Sequence, residues 1–319
     1  MRPRSRSLAA ALALALLLGA GCARRPDLPA AGALPPGRAE RVALYERTLR
    51  AFLEAGWLPL IDVGVSLARW PDPSRLVEGM DRAGVALAAV TAPAEAAILE
   101  AARRHPARLI PLTSAPGEGS PASLRRQIEA GAFGIGVPFG PAKEEREALE
   151  ALLRLAEERR VPLVLRMEPE DGALGRLERQ MRSLPGAPVV WAEAGLTPRP
   201  EGHPGYGHAL LRALSLRHPN LFFTLTQAPP AEPSPAPRAR RVHLYDPGGG
   251  LSHEWRALLD ARNRHFLAGS SPEADTPAFY AGRMEGFRKR VLDALSPASR
   301  HRLAYQNAWR LLTGEEWRE

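Results

Sequence analysis

From residue 58 onward, short apolar runs alternate with segments of helical periodicity. Eight runs of seven or eight residues have the composition of buried strands, at 59–66, 85–92, 108–114, 133–139, 161–167, 187–194, 220–227 and 264–271. Between most of them apolar residues recur at helical spacing, most clearly in 145–160, where Leu149, Leu152 and Leu153 line one face. Continuous apolar strands that alternate with amphipathic helices indicate a parallel sheet covered by helices.

Eight such units in about 250 residues are typical of an α/β fold of the (β/α)8 TIM-barrel type. A doubly wound open sheet is the alternative, but it usually has fewer strands, and no Gly-rich phosphate loop follows the first run. We therefore predict a single barrel domain over residues 58–319. A Pro-rich insertion at 228–240 follows the seventh strand, where the pattern favours an extended surface segment.

Two further segments precede the barrel. Apolar residues at helical spacing, among them Tyr45 and Leu49, predict one extra helix within 39–57. Residues 22–38 are rich in Pro, Ala and Gly, which is the composition of a tether.

The first 21 residues resemble a bacterial lipoprotein signal. Three arginines precede an apolar run at 8–18 that is too short to span a bilayer, and small residues lead to Cys22, the chain's single cysteine. Gly19 stands where such signals usually carry leucine, and a plain secretory signal is the alternative. We expect residues 1–21 to be removed and Cys22 to carry lipid, which makes the membrane a partner of the chain.

The formal net charge of +8 comes from arginines spread over the whole chain. No stripe of Lys and Arg interleaved with aromatic residues is present, so we expect no binding of nucleic acid. With one cysteine the chain forms no internal disulfide, and its fold depends on packing.

Several stretches, in order and at the expected spacing, resemble the amidohydrolase superfamily, in its metal-dependent hydrolase and decarboxylase branch. The resemblance runs from about residue 59 to residue 314. It rests on "IDVGVSL" (61–67), "GMDRAGVALAAV" (79–90), "RRHPARLIPLTS" (103–114), "RHPNLFFTLT" (217–226), "LYDPGGGLSHEWRALLDARNRHFLAGSS" (244–271) and "AYQNAWRLLTG" (304–314). It implies a (β/α)8 barrel whose ligands bind at the carboxyl ends of the strands.

The resemblance also implies one or two divalent metals, held by histidines and an aspartate at those strand ends. The matching positions in this chain are Gly64 and Ser66 on the first strand, a position near Gly136 on the fourth, Arg166 on the fifth, Glu193 on the sixth and Ser271 on the eighth. A catalytic zinc needs about three ligands from His, Asp, Glu or Cys. Since only Glu193 is such a residue, we expect a degenerate centre with no metal and no other cofactor.

A relocated site is the alternative to a lost one. Asp62 shares strand parity with Gly64, which predicts that it faces the barrel interior, and other polar groups follow the strand ends. The candidate ligand-binding residues are Asp62, Arg166, Glu168, Glu193, His203 and His208. Loop histidines are more often surface residues, and buried carboxylates more often pair with nearby arginines.

Arg166 and Glu193 fall on neighbouring strands of the predicted barrel. Our hypothesis is that the guanidinium replaces the metal charge, pairs with Glu193 within about 4 Å and contacts Asp62 or Glu168 as well. Gly64 and Ser66 would then be small to leave room for it. The alternative is independent drift, with Arg166 directed to solvent.

Three classes of function remain open. The leading one is a ligand-binding or scaffold pseudoenzyme at the cell envelope, anchored by lipid. It would lie on the periplasmic side of the outer membrane in a bacterium with two membranes, because Ala23 rather than aspartate follows Cys22. An active hydrolase or lyase for a small carboxylate or amide, with a rebuilt or metal-independent site, is the second. The third is a protein-interaction module. The sequence does not identify the small ligand or the protein partner.

Overall fold

The computed structural model describes residues 26–29, 32–35, 37–114, 120–137, 146–166, 171–194, 196–197, 207–226, 241–242, 244–270 and 275–318. Within these ranges all eight predicted strands are present. They are β1 Leu60–Ser66, β2 Val85–Thr91, β3 Leu109–Pro111 with its continuation β4 Thr113–Ser114, β5 Ile135–Val137, β6 Leu163–Arg166, β7 Val189–Ala192, β9 Leu221–Thr226 and β11 Phe266–Gly269.

Helices separate these strands, as the alternating pattern predicts. They are α1 Arg38–Glu54, α2 Pro73–Ala83, α3 Glu95–Arg104, α4 Pro121–Glu129, α5 Arg146–Arg159, α6 Asp171–Ser183, α7 His208–Arg217, α8 His253–Ala261, α9 Pro277–Arg290, α10 Pro297–His301 and α11 Asn307–Thr313. Local chemistry sets several boundaries. Asp72 caps α2 by accepting from the Ser74 N–H at 3.0 Å, and Gly84 ends α2 in the left-handed conformation.

The strands pair in parallel and in chain order. One sheet has the order β1-β2-β3 and the other β11-β9-β7-β6-β5-β4. A doubly wound sheet would reverse this order at a switch point. Sequential parallel pairing is instead the order of a (β/α)8 barrel, and it confirms the predicted fold class.

The two sheets meet within the third barrel strand. The Leu112 N–H donates to Val90 in the first sheet at 3.0 Å, whereas the Thr113 N–H donates to Gly134 beside the second at 2.8 Å. The hydrogen-bonding partner of the third barrel strand therefore changes from β2 to the segment before β5 between Leu112 and Thr113. We call the end of the barrel where the strands begin the base, and the end where they finish the mouth.

The seam between β11 and β1 is joined differently. No backbone ladder pairs these two strands among the described residues. The carboxylate of Asp62 on β1 instead accepts from the Ser270 N–H, directly after β11, at 2.7 Å. A side-chain hydrogen bond thus connects the first and last strands at the mouth.

A short antiparallel ribbon lies outside the barrel pattern and was not predicted. β8 Leu196–Thr197, after the sixth barrel strand, pairs with β10 Arg241–Val242, after the seventh. The Pro-rich insertion predicted at 228–240 lies outside the described residues.

Helix α1 covers the base. Its buried residues include Tyr45, whose hydroxyl donates to the Leu109 carbonyl at 3.1 Å, and Thr48, which donates to Ala107 at 3.0 Å. Both carbonyls lie at or just before the start of β3, so the predicted extra helix closes the end opposite the mouth. No described helix combines the length and apolar character that a membrane crossing requires.

Candidate functional site

Arg166 and Glu193 form an ion pair at the mouth. Arg166 ends β6 opposite Ala192, the last residue of β7, and Glu193 directly follows that strand. The Arg166 Nε lies 3.0 Å from the Glu193 Oε1, with 26% and 16% of the two side chains exposed. The separation predicted from the sequence is confirmed, and Arg166 is not directed away from the barrel into solvent.

Gly64 receives the second contact of Arg166 through its backbone. The Arg166 Nη2 donates to the Gly64 carbonyl at 3.0 Å. Gly64 lies at a bulge between Val63 and Val65, with φ at +93°. Only glycine adopts such a backbone without strain.

The structure gives a reason for glycine at position 64 other than the predicted need for space. A Cβ there would stand 3.5 Å from the nearest atom, on Val164, which is ordinary contact distance. The glycine is required by its backbone conformation, which allows the carbonyl to accept from Arg166. Ser66 ends β1 opposite Thr91.

Glu193 also has an unusual backbone. Its φ of +65° places a non-glycine residue in the left-handed region, which costs roughly 1–2 kcal/mol. Its N–H donates to the Oγ1 of Thr224 on β9 at 2.9 Å, and this buried hydroxyl stabilises the turn. Sequence reasoning missed Thr224, although a polar residue within the apolar run "LFFTLT" (221–226) was an available signal.

Asp62 is fully buried and has other partners than Arg166. Its two oxygens accept from the Ser270 N–H and from the Tyr280 hydroxyl, each at 2.7 Å. Tyr280 belongs to α9 in the outer helix layer and packs edge-on against Trp70, with ring centroids 6.1 Å apart. The carboxylate is therefore directed to the seam and to α9 rather than to the interior that strand parity predicts. Its hydrogen bonds go to Ser270 and Tyr280, while Arg166 acts on it through charge, and the alternative partner Glu168 lies outside the described residues.

Burial raises the pKa of the Asp62 carboxyl group. The Tyr280 hydroxyl, the Ser270 N–H and the charge of Arg166 oppose this shift without cancelling it. Burial and the neighbouring Asp62 raise the pKa of the Tyr280 hydroxyl well above its ordinary value. Burial thus shifts both groups of the Asp62–Tyr280 pair toward their uncharged forms, while the two hydrogen bonds to Asp62 favour its carboxylate.

His208 does not join the ion pair. It is the first residue of α7 rather than a loop residue, and its ring packs edge-on against Trp255 of α8, with centroids 6.4 Å apart. Glu168, His203, Ser271 and Cys22 lie outside the described residues, so their predicted roles stay predictions.

The described positions do not fit the metal that the resemblance implies. A side chain at Gly136 would collide with the methyl group of Thr91, Gly64 offers no donor, and Arg166 places a permanent cation where a metal ligand would stand. Within the described ranges, no group of three or more His, Cys, Asp and Glu side chains could hold a metal ion. The described residues at these positions instead include the Arg166 guanidinium and the Glu193 carboxylate.

The ion pair predicts energetic coupling between its two residues. Arg166→Leu alone leaves Glu193 without its cation, and Glu193→Gln alone leaves Arg166 without its anion. Because both side chains are partly exposed, solvent screens the pair, and we expect a coupling energy of roughly 1 kcal/mol in a double-mutant cycle of unfolding free energies.

The surface pair Arg154–Glu150, with 67% and 42% of the side chains exposed, is the matched control. A double-mutant cycle at this control pair should give a coupling energy of less than about 0.5 kcal/mol. Additive effects at Arg166 and Glu193 would show that the two residues do not interact.

The raised pKa of Asp62 predicts how stability depends on pH. A folded-state pKa above the unfolded value of about 3.9 means that the Asp62 contribution is complete at low pH and is lost as pH rises through the folded pKa. The difference in unfolding free energy between wild type and Asp62→Asn should therefore shrink as pH rises from about 4, by at most about 1.4 kcal/mol per pH unit.

Asp72→Asn is the control for that series, measured by chemical denaturation at each pH. Asp72 is exposed, and its pKa is lowered by the cap hydrogen bonds from Ser74. Its difference from wild type should grow as pH rises. If the Asp62→Asn difference also grew with pH, the raised pKa would be refuted.

Comparison with known proteins agrees with the barrel geometry. A probable 2-pyrone-4,6-dicarboxylic acid hydrolase from Acinetobacter baumannii, solved with citric acid bound, is 15% identical, with a TM-score of 0.51 over 80% of this chain and 99% of that one. A Pseudomonas putida protein assigned as the same hydrolase is 17% identical, with a TM-score of 0.52 over 81% and 98% of the two chains. At these identities the likeness shows the fold alone.

No curated protein matches the chain. The sequence does match the family described as Amidohydrolase over residues 46–313, which span β1 to β11 and almost all of the helices around them. The chain belongs to the amidohydrolase family.

Proposed function

We propose that this chain binds a small carboxylate at the barrel mouth, without a metal and without turning it over. The observation that carries the proposal is the Arg166 guanidinium, 3.0 Å from Glu193 and at a strand end where the family resemblance implies a metal ligand. A metal at the mouth supplies a fixed positive charge for an anionic ligand. Arg166 supplies such a charge from the protein itself.

The guanidinium has capacity for a ligand. Of its five N–H donors, one on Nη2 serves the Gly64 carbonyl, and the Nε atom lies 3.0 Å from the Glu193 carboxylate. The remaining donors suit the bidentate geometry that carboxylates prefer. The two similar structures are assigned to hydrolases of a dicarboxylic acid, and one contains citric acid, which supports a carboxylate ligand here.

The contacts of the described acids support binding without hydrolysis. Hydrolysis needs a base that activates water. Asp62 already accepts from the Ser270 N–H and the Tyr280 hydroxyl, and Glu193 lies 3.0 Å from the Arg166 guanidinium. This engagement of Asp62 and Glu193 with protein groups favours binding over hydrolysis.

A metal-independent hydrolase is the second candidate. The assignment of both similar structures as 2-pyrone-4,6-dicarboxylic acid hydrolases favours it. It would need a base from residues outside the described ranges, such as Glu168 or His203. Loss of ring absorbance from 2-pyrone-4,6-dicarboxylate, abolished by Arg166→Leu, would favour this candidate over simple binding.

We further propose that the chain acts at the cell envelope, held by lipid on Cys22. The apolar run that ends in small residues before the chain's single cysteine supports this anchor. At least two acyl chains are needed for stable anchoring, since one chain binds membranes only marginally.

Citrate binding tests the site with two variants that are expected to change the affinity in opposite directions. Arg166→Leu removes the cation and should weaken citrate binding roughly 10- to 100-fold, the value of a charge-assisted hydrogen bond. Glu193→Gln removes the competing anion and should tighten it. Isothermal titration calorimetry measures both, with the exposed Arg154→Leu as control. Equal affinity for all variants would place any carboxylate site elsewhere.

Membrane fractionation tests the anchor. Cys22→Ser removes the sulfur that would carry lipid, so the protein should leave the membrane fraction or remain uncleaved. A cleaved Cys22→Ser protein that remains in the membrane fraction would overturn the lipid anchor, and it would have no bearing on the ligand site.

A further inference from the structure

The segment before α1 is held against the base of the barrel. The Arg41 Nε donates to the Pro35 carbonyl at 2.6 Å, and the same guanidinium donates to Gly131 at 3.0 Å. Gly131 precedes β5, so its carbonyl belongs to the base. One buried side chain thus connects the N-terminal segment, α1 and the barrel.

Followed backward from Pro35, the segment runs beside α1 toward the C-terminal end of that helix. Leu28 packs against the hydrophobic core. Residues 27–29 line one cavity together with Arg47, Arg50, Ala51 and Glu54 of α1. The chain from Pro35 back to Leu28 is therefore held at two places, both on the base side.

Covalent geometry limits how far Cys22 can lie from this contact. Leu28 lies six positions after Cys22, and six residue steps span at most about 20 Å when extended. A globular domain of this length has a radius of gyration of about 19 Å and thus a diameter near 50 Å. Six residues cannot carry Cys22 from the base around to the mouth.

We infer that the lipid bilayer faces α1 and the barrel base, and that the mouth with Arg166 and Glu193 opens away from the membrane. This inference rests on the proposed lipid anchor at Cys22. It means that the ligand reaches the site from the aqueous phase rather than from the bilayer.

The outer side of α1 fits a surface that lies on a bilayer without entering it. Its exposed residues are small or charged, among them Ala39, Ala43 and Arg47. The large exposed hydrophobic residues within the described ranges, Leu216 and Phe279, are elsewhere. Attachment therefore depends on the acyl chains, and orientation on the short, held tether.

Fluorescence quenching by lipid tests the orientation. Since the sulfur of Cys22 would carry lipid, an introduced cysteine is the single free thiol for a bimane label in the full-length lipidated chain. Ala43→Cys places the label on the exposed side of α1, and Ala68→Cys places it on the exposed turn after β1, at the mouth. Both proteins are reconstituted in phosphatidylethanolamine–phosphatidylglycerol vesicles that contain a headgroup nitroxide lipid.

We expect the label at residue 43 to be quenched several-fold more than the label at residue 68. Equal quenching, or stronger quenching at residue 68, on vesicle-bound protein would overturn the orientation while the anchor stands. Protein that does not bind vesicles would refute the anchor, and the orientation with it. A flexible 20-residue insertion after Ala23 should abolish the difference, and a difference that persists would contradict the role of the short tether.

Discussion

A permanent cation at the mouth of the barrel is the constraint around which the site is arranged. Arg166 cannot lose its charge, and it is three-quarters buried, so it needs an anion and acceptors beside it. Glu193 supplies the anion at 3.0 Å, and the Gly64 carbonyl supplies an acceptor at the same distance. Glu193 and Gly64, like Arg166, lie at positions where the family resemblance implies metal ligands, which is why we propose that the guanidinium charge takes the place of a metal.

Backbone adjustments accompany this charge. Gly64 turns its carbonyl toward Arg166 through a bulge with positive φ, and Glu193 adopts a left-handed conformation that the Thr224 hydroxyl stabilises. Strained residues of this kind persist where the surroundings over-determine them, and they cluster at functional sites. Asp62 has a separate role, since it joins β1 to the end of β11 and to α9. Among the described residues, Glu193 thus neutralises Arg166, whereas Asp62 connects the first and last strands.

The sequence was sufficient for the fold and for one contact of the site. Strand positions followed from apolar runs, and the Arg166–Glu193 pair followed from their place on successive strands, because successive parallel strands are neighbours in a barrel. The direction of Asp62 could not be predicted from strand parity. A bulge at Gly64 interrupts the alternation, and the partner Tyr280 is 218 residues away in the chain. The role of Thr224 depends on the backbone turn at Glu193, which no local pattern in the sequence announces.

Anomalous diffraction tests most directly the claim that Arg166 takes the place of a metal. Crystals grown with zinc chloride would be measured at the zinc absorption edge. We predict that Arg166 and Glu193 remain within about 4 Å of each other, with no anomalous peak beside either residue. A zinc peak at about 2.0–2.2 Å from the Glu193 carboxylate, with the Arg166 guanidinium displaced, would contradict it.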